Sequence, residues 1–287
     1  MTVYLIENNL REYLGHFLNC TTGLKHELQA VGANVKIYTN RRASKELLRK
    51  IDGHPIFKHL SWAGDKTSDP IASMHKFGEK FCRQCLKIEG ISSGDLVLIG
   101  TALENQVYGI ATFMDCLPSD RRPKLVLNFH WENITENEKR RAAYTEAFSL
   151  LKQVSDPERV IIAAMTMGIA DKLRSVSEGL EVRLFPCPKD FGEIRPTPKA
   201  SNTAHPTLAV LGRSLRRKGS STIHKSVRRL RKRMPQLRYL IQATYKSPEL
   251  LLLLFTRGVH LHLGGISQDT YLAYLRSADI FLLPYSV

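Results

Sequence analysis

The stretch LAVLGRSLRRKG, residues 208–219, is the part of this sequence that says most about its fold. A short apolar run typical of a buried parallel strand ends at Gly212, a strongly basic loop follows, and a helical pattern then begins. Glycine lets the backbone turn tightly and approach a ligand, and the first N–H groups of a helix attract anions. Because Arg213 and Lys218 add positive charge, the stretch suits a diphosphate, although it also suits an ordinary solvent-exposed βα loop.

The same strand–helix alternation runs through the amino-terminal two thirds of the chain. Apolar runs typical of strands alternate with longer helical patterns, which predicts a doubly wound α/β domain over residues 1–194. The predicted strands lie at 3–6, 35–39, 95–99, 124–129, 159–164 and 181–185. The predicted helices lie at 16–31, 71–88, 103–116, 136–154 and 169–175.

The alternation is interrupted once. Residues 195–206 read RPTPKASNTAHP, with three prolines and no apolar periodicity, which predicts a linker. Strands and helices then resume, and residues 207–287 predict part of a second α/β domain. Its last predicted strand, 280–283, is followed only by PYSV, so we expect this second domain to be incomplete.

Composition limits the classes of protein that the chain can be. Hydrophobic residues make up 43% and charged residues 24% of the 287 residues, which is typical of a globular protein. The longest apolar run, residues 250–255, is far shorter than the ~20 residues of a membrane-spanning helix. The amino terminus does not resemble a signal peptide, and five cysteines are a sparse, odd set. We therefore expect a reduced, cytoplasmic protein.

The positive charge is concentrated in one region. The net charge is +15, and residues 194–248 contain fourteen Lys and Arg but no Asp or Glu. A local excess of positive charge indicates an anionic partner, because its electrostatic field attracts such partners.

Three segments together resemble one enzyme family. Gly-Arg, four residues and Lys-Gly after a strand resembles the nucleotide-sugar loop of the retaining group 1 glycosyltransferases with the GT-B fold. GVHLHLGGISQDTYLAYLRSADIFLLPY, residues 258–285, is similar to a segment of that family's second domain. The amino-terminal Gly15-His16, the amphipathic helix after it, and VKIY at 35–38 resemble the family's first βαβ unit.

The resemblance implies a fold, a reaction and a set of site residues. It implies two Rossmann-like domains facing a cleft, and transfer of a hexose-type sugar from a nucleotide-sugar donor to an acceptor with retention of configuration. No metal or cofactor is implied, since the nucleotide-sugar is a substrate. The residues implied to bind the donor diphosphate are Gly212, Arg213, Lys218 and Gly219, and those of the donor-sugar loop are Gly15 and His16. The family's two glutamates would follow Pro284, beyond the last residue, so we expect weak activity of this chain.

His130 is the candidate catalytic residue. It closes the run LVLNFHWEN, residues 125–133, and the resemblance implies a histidine at such a strand end, lining the cleft near the transferred sugar. A histidine there can hydrogen-bond a sugar hydroxyl or support charge at the reacting centre, or can simply cap the next turn. Trp131 suits stacking on a sugar or nucleotide but also suits packing, and Glu132 is a weaker candidate.

A basic helix is predicted at residues 221–234. Its apolar residues, Ile223, Val227, Leu230 and Met234, share one helical face, and six Lys and Arg crowd the remainder. The pattern suits a helix packed on its sheet with a solvated basic face. It also suits docking on anionic lipid, where each basic residue contributes roughly 1 kcal/mol, and hence a lipid-linked acceptor and a peripheral location at the inner face of the membrane. No specific nucleic-acid partner is expected, because no nucleic-acid-binding motif occurs.

Two other functions remain open at this stage. A nucleotide-sugar epimerase of GT-B type would share the resemblance, and a non-catalytic basic binding protein would share the charge. The pair Cys82 and Cys85 is a single CxxC with only His75 nearby, whereas zinc needs four ligands, so these cysteines are expected to pack in the core.

Overall fold

The computed structural model describes residues 1–11, 16–61, 69–131, 134, 137–186, 205–211, 220–243 and 248–282. The chain divides into two compact units, Met1–Gly192 and Glu193–Val287. Several sequence predictions lie outside the described residues: the linker 195–206 apart from its last two positions, and Gly15, Glu132, Gly212, Arg213, Lys218, Gly219 and Pro284. His16 begins a helix, but its side chain is also outside the description.

The amino-terminal unit is built on one parallel sheet. Its strands are β1 (Thr2–Glu7), β2 (Asn34–Asn40), β3 (Gly53–Phe57), β4 (Leu96–Ile99), β5 (Lys124–Phe129), β6 (Val160–Ala164) and β7 (Glu181–Leu184). They are ordered β3-β2-β1-β4-β5-β6-β7, and every described pairing is parallel. Because both faces of the sheet are covered, β1 and β4 are almost entirely apolar and buried, which confirms the α/β prediction.

Helices connect these strands and begin where the sequence supplies caps. They are α1 (His16–Ala30), α2 (Lys45–Ile51), α3 (Pro70–Cys85), α4 (Glu104–Asp115), α5 (Glu138–Val154) and α6 (Met167–Arg174). Asp69 accepts hydrogen bonds from the first turn of α3, and Asn137 and Thr166 do the same for α5 and α6. These side chains satisfy N–H groups that have no partner inside the helix, which fixes where each helix starts.

The structure adds one helix and one strand to those expected from the sequence. Neither α2 nor β3 was predicted, because α2 has only seven residues and β3 carries a proline in a five-residue run. Pro55 is tolerated because β3 lies at the edge of the sheet, where a missing N–H leaves no inner ladder bond unmade.

The second unit contains a smaller parallel sheet. Its described strands are β8 (Thr207–Val210), β9 (Arg238–Ala243), β10 (Val259–Leu263) and β11 (Ile280–Phe281), ordered β10-β9-β8-β11. Its helices are α7 (Ser220–Arg233), α8 (Pro248–Leu251) and α9 (Gln268–Ser277). Ile223 and Val227 of α7 are buried against this sheet, and Leu230 and Met234 pack beside them, which confirms the predicted apolar face.

The helix predicted at 248–256 is shorter in the structure. After α8 the chain continues as a 3₁₀ turn, Leu252–Phe255. Leu250 and Leu253 are both fully buried, and their spacing of three residues matches the three-residue turn of a 3₁₀ helix better than the α-helical period. Among the described residues, no helix is long and apolar enough to cross a membrane.

Candidate functional site

The strand order places a ligand-binding position at one edge of the first sheet. The chain begins at β1, extends to β2 and β3 on one side, and then crosses to β4 on the other. In open parallel α/β sheets, ligands bind beyond the carboxyl ends of the strands at such a switch point. The residues that follow β1, β4 and β5 at this edge are unusually polar for buried positions, and they form the candidate site.

Glu7 lies at the switch point itself. It is the last residue of β1 and is fully buried, and its Oε2 accepts a 2.6 Å hydrogen bond from Thr101 Oγ1 in the turn after β4. Its Oε1 accepts from the backbone N–H of Asn9, at 3.2 Å. A Cβ on Gly100 would lie 2.8 Å from Glu7 Oε2, so only glycine leaves room for this carboxyl group. Glu7 therefore ties the turn after β1 to the turn after β4.

Burial raises the pKa of Glu7 from 4.5 to about 8. The hydrogen bonds from Thr101 and Asn9 favour the ionised form, but they offset only part of the cost of removing the charge from water. At neutral pH the carboxyl group is therefore mostly protonated. A neutral Glu7 can donate one hydrogen bond as well as accept, which an ionised carboxylate cannot do.

A network of buried amides surrounds this position. Asn8 Oδ1 accepts from Gln106 Nε2 at 2.7 Å, and Asn9 Oδ1 accepts from both Ser61 N–H and Ser61 Oγ, at 2.9 and 2.7 Å. Asn105 Nδ2 donates to the Ser61 carbonyl at 2.6 Å. Asn9 Nδ2 and Asn105 Oδ1 are buried without a hydrogen-bond partner among the described residues. Such atoms are uncommon in folded proteins and often mark functional positions.

His130 follows β5 at the same edge of the sheet. Its Nε2 lies 2.9 Å from Nδ2 of the buried Asn128, and the ring is half-buried. When the amide nitrogen donates, Nε2 accepts and the ring proton is on Nδ1. Asn128 thereby fixes the orientation and tautomer of a strand-end histidine, and its own Oδ1 is buried with no partner in the described part of the chain.

Trp131 packs rather than standing open. Its ring centroid lies 6.2 Å from that of Phe17 and 6.1 Å from that of His130. Phe17 is the second residue of α1, so this contact joins the helix after β1 to the end of β5. The arrangement favours the packing interpretation of Trp131 and brings the amino end of α1 close to His130.

A buried ion pair supports the helices that begin at this edge. Glu104 in the first turn of α4 pairs with Arg140 in the first turn of α5, with an N–O distance of 3.0 Å. The side chains are only 6% and 15% exposed, so the pair is shielded from water. Burial, followed by the charge of Glu104, raises the pKa of Tyr144 on α5 well above its usual value. The pair thus holds α4 and α5 together next to β5.

The second sheet has a switch point of its own. From β8 the chain extends to β9 and β10 on one side and returns to β11 on the other. The predicted diphosphate loop, 212–219, therefore follows the strand at the switch point, and α7 begins directly after it at Ser220. The loop itself lies outside the described residues, so the roles predicted for it remain predictions.

The other features singled out from the sequence do not form a metal site in the described part of the chain. No group of three or more His, Cys, Asp or Glu is arranged to hold a metal there. Cys82 and Cys85 are buried in the core, and burial raises the pKa of Cys82 to about 12, whereas zinc binds the thiolate. His75 instead pairs with Glu146, in an open groove of about 880 Å³ that runs along α5.

The sequence pointed to His130 but not to Glu7. The signal for Glu7 was present, because Glu7, Asn8 and Asn9 are three polar residues directly after the apolar run of β1. Polar residues at the carboxyl end of a parallel strand are positioned for a site. What the sequence could not show is that all three are buried.

Solved structures with this fold are glycosyltransferases and related enzymes. The trehalose-6-phosphate synthase OtsA matches 99% of this chain and 78% of its own, with 9% identity and a TM-score of 0.65. Starch synthase IV from Arabidopsis thaliana, bound to ADP and acarbose, matches 99% and 78%, with 10% identity and a TM-score of 0.59. A Listeria monocytogenes structure described as a UDP-N-acetylglucosamine 2-epimerase matches 98% and 73%, with 11% identity and a TM-score of 0.57.

These matches cover both units of the chain and establish the GT-B fold. No protein-family model and no curated protein matches the sequence. The class that the fold defines is thus that of the GT-B enzymes, and the sequence identities are too low to carry a substrate from any neighbour.

Proposed function

We propose that this protein is a glycosyltransferase that moves a sugar from a nucleotide-sugar donor to an acceptor with retention of configuration. One observation carries the proposal: a GT-B fold in which the Gly-Arg, Lys-Gly loop follows the switch-point strand of the second sheet. The first unit contributes a polar strand edge with an oriented histidine, His130. The metal-independent, hexose-transferring form of the reaction is part of the proposal.

The proposed donor site uses the basic loop and the helix after it. Arg213 and Lys218 would neutralise the diphosphate, with Gly212 and Gly219 letting the backbone approach it. The amino end of α7, which starts at Ser220, would add partial positive charge from its unpaired N–H groups. Gly15 and His16 would shape the loop near the donor sugar.

The reaction requires charge stabilisation at one oxygen and positioning at another. The bond between the sugar's anomeric carbon and the diphosphate breaks, and the electron pair leaves with the nucleoside diphosphate. A bond from an acceptor hydroxyl forms on the same face, and the hydroxyl proton is released. Stabilising the departing negative charge lowers the barrier, which is the part assigned to Arg213 and Lys218. His130, held by Asn128, would hydrogen-bond the transferred sugar.

Binding measurements test the donor site. Arg213→Ala and Lys218→Ala should each weaken nucleoside-diphosphate binding by about 10- to 150-fold, because a charge-assisted contact contributes roughly 1.5–3 kcal/mol. Nucleoside binding should be unchanged, since a nucleoside has no phosphate. Arg276→Ala, an exposed change on α9, is the matched control. Equal losses for both ligands would refute the assignment.

Product analysis tests the reaction. The protein is incubated with a panel of nucleotide-sugars and with sugar or lipid-linked acceptors, and diphosphate release is followed together with the anomeric configuration of the product. His130→Ala should lower turnover at least 100-fold with little change in diphosphate affinity. A product of inverted configuration would contradict the retaining mechanism.

The second candidate is a nucleotide-sugar epimerase, favoured by the fold match to the Listeria structure. The same incubation without an acceptor distinguishes the two, because an epimerase changes the donor sugar while a transferase needs the acceptor. A protein that binds RNA in a salt-dependent way but binds no nucleotide-sugar would instead be a non-catalytic basic binding protein.

A further inference from the structure

Three large apolar side chains of the second unit are open to solvent. In the 3₁₀ turn after α8, Leu252 is 59% exposed, Leu254 is 48% exposed and Phe255 is 90% exposed. Leu250 and Leu253 of the same run are buried, so the turn anchors itself through alternate residues and presents the others outward. Exposed apolar groups concentrated in one four-residue turn indicate a surface that another molecule covers.

The basic residues of α7 belong to the same side of the sheet. The crossover through α7 joins β8 to β9, and the crossover through α8 joins β9 to β10, in one direction along the sheet. Because parallel crossovers are right-handed, both helices cover the same face. Their buried residues share one core cluster, which includes Ile223, Val227, Leu250 and Leu253. The basic helix and the apolar turn are therefore neighbours.

The charge beside the apolar turn is high. The basic residues of α7 are Lys225, Arg228, Arg229, Arg231, Lys232 and Arg233, and all but Arg231 are exposed. The helix contains no acidic residue, and no ion pair between described residues involves these side chains. Arg257, also exposed, follows the apolar turn.

We propose that α7 and the turn Leu252–Phe255 form a two-part membrane-docking surface, in which the basic helix binds anionic lipid headgroups and Leu252, Leu254 and Phe255 insert among the acyl chains. This goes beyond the sugar-transfer reaction and does not depend on it. The combination of basic and apolar groups is what an interfacial lipid surface requires, since charge brings the protein to the headgroups and apolar area holds it there.

The apolar residues favour lipid over nucleic acid. A nucleic-acid site uses basic side chains together with aromatic or polar groups that reach the bases. Two exposed leucines offer neither stacking nor hydrogen bonds, but they do gain free energy on leaving water for a hydrocarbon layer.

Sedimentation with lipid vesicles tests the proposal. The 287-residue protein is mixed with vesicles of phosphatidylcholine alone or with 30% (about one third) phosphatidylglycerol, at about 0.15 M salt, near the physiological ionic strength at which exposed charges still act over ~8 Å. Binding should require the anionic lipid. Raising the salt concentration should weaken binding without abolishing it, because the apolar contribution is not screened by ions.

The charged half is tested by Arg228→Gln, Arg229→Gln and Lys232→Gln together. At about 1 kcal/mol for each basic residue, vesicle binding should fall about 100-fold. The matched control, Arg41→Gln with Lys45→Gln and Lys76→Gln, removes three exposed charges from the first unit and should leave binding unchanged.

The apolar half is tested by Phe255→Ser. Binding to anionic vesicles should fall about 10- to 100-fold, the loss expected for one large apolar side chain that no longer leaves water. Val31→Ser, on the exposed surface of the first unit, is its control. Phe255→Trp should keep binding and shift its fluorescence to the blue on vesicles, which shows insertion in a folded protein.

Three outcomes would overturn the proposal. The first is vesicle binding that Phe255→Ser leaves intact. The second is tight binding to a single-stranded RNA with no binding to anionic vesicles. The third is a concentration-dependent dimer that Phe255→Ser dissociates while vesicle binding stays absent, which would assign the apolar turn to a second copy of this chain.

Discussion

Replacing Glu7 by glutamine should make the first unit more stable at alkaline pH. Glutamine has nearly the shape of a protonated glutamate and can still accept hydrogen bonds from Thr101 and from the Asn9 backbone. It cannot ionise, however, and so it avoids the cost of a buried negative charge. The groups that face Glu7 are Thr101, Asn9 and the Cys20 thiol, so no basic side chain compensates that charge.

The size of the effect follows from the two pKa values. The pKa of Glu7 is about 8 in the folded protein and 4.5 as its unperturbed value. Between these values the unfolded chain has lost its proton while the folded chain keeps it, so stability falls as pH rises. At about 1.36 kcal/mol per pKa unit, the loss is about 5 kcal/mol at pH 8 and absent below pH 4.5.

Tryptophan fluorescence measures this in the correct unit, because both tryptophans, Trp62 and Trp131, lie in the first unit. Urea unfolding is followed at pH 5, 6, 7 and 8, a range within which each pH unit should change the difference between Glu7→Gln and the natural protein by about 1.4 kcal/mol. Glu158→Gln, an exposed change, controls for the loss of one carboxylate. Parallel pH profiles for Glu7→Gln and the natural protein would show that Glu7 ionises normally, and the buried-acid argument would fail.

Further changes probe the same edge of the sheet. Gly100→Ala should destabilise the first unit by about 1–3 kcal/mol, since its Cβ would lie 2.8 Å from Glu7 Oε2, and urea unfolding measures the loss. Arg140→Met should cost about 3–5 kcal/mol by leaving Glu104 charged and buried, and adding Glu104→Leu should recover much of it; a double variant no better than the single one would contradict this. Asn128→Leu should lower turnover and shift its pH profile through the loss of the contact to His130, whereas a purely structural role would leave the profile in place.

The sequence by itself determined the elements, because their signals are local. A buried parallel strand is a continuous apolar run, and an amphipathic helix repeats its apolar residues every three or four positions. These patterns predicted β5 at its observed bounds and the buried face of α7. They failed at α2 and β3, where the segments are too short to repeat a pattern and Pro55 argues against a strand.

Only the tertiary structure decided what these elements do together. Strand order comes from pairings between distant residues, so the sequence did not show that β1 and β4 are neighbours or that Glu7 lies beside Thr101. Nor did it distinguish Leu250 and Leu253, which are buried, from Leu252 and Phe255, which face solvent, because all belong to one apolar run. Burial depends on what packs from elsewhere in the chain, and burial is what raises the pKa of Glu7 and leaves the apolar turn open to a membrane.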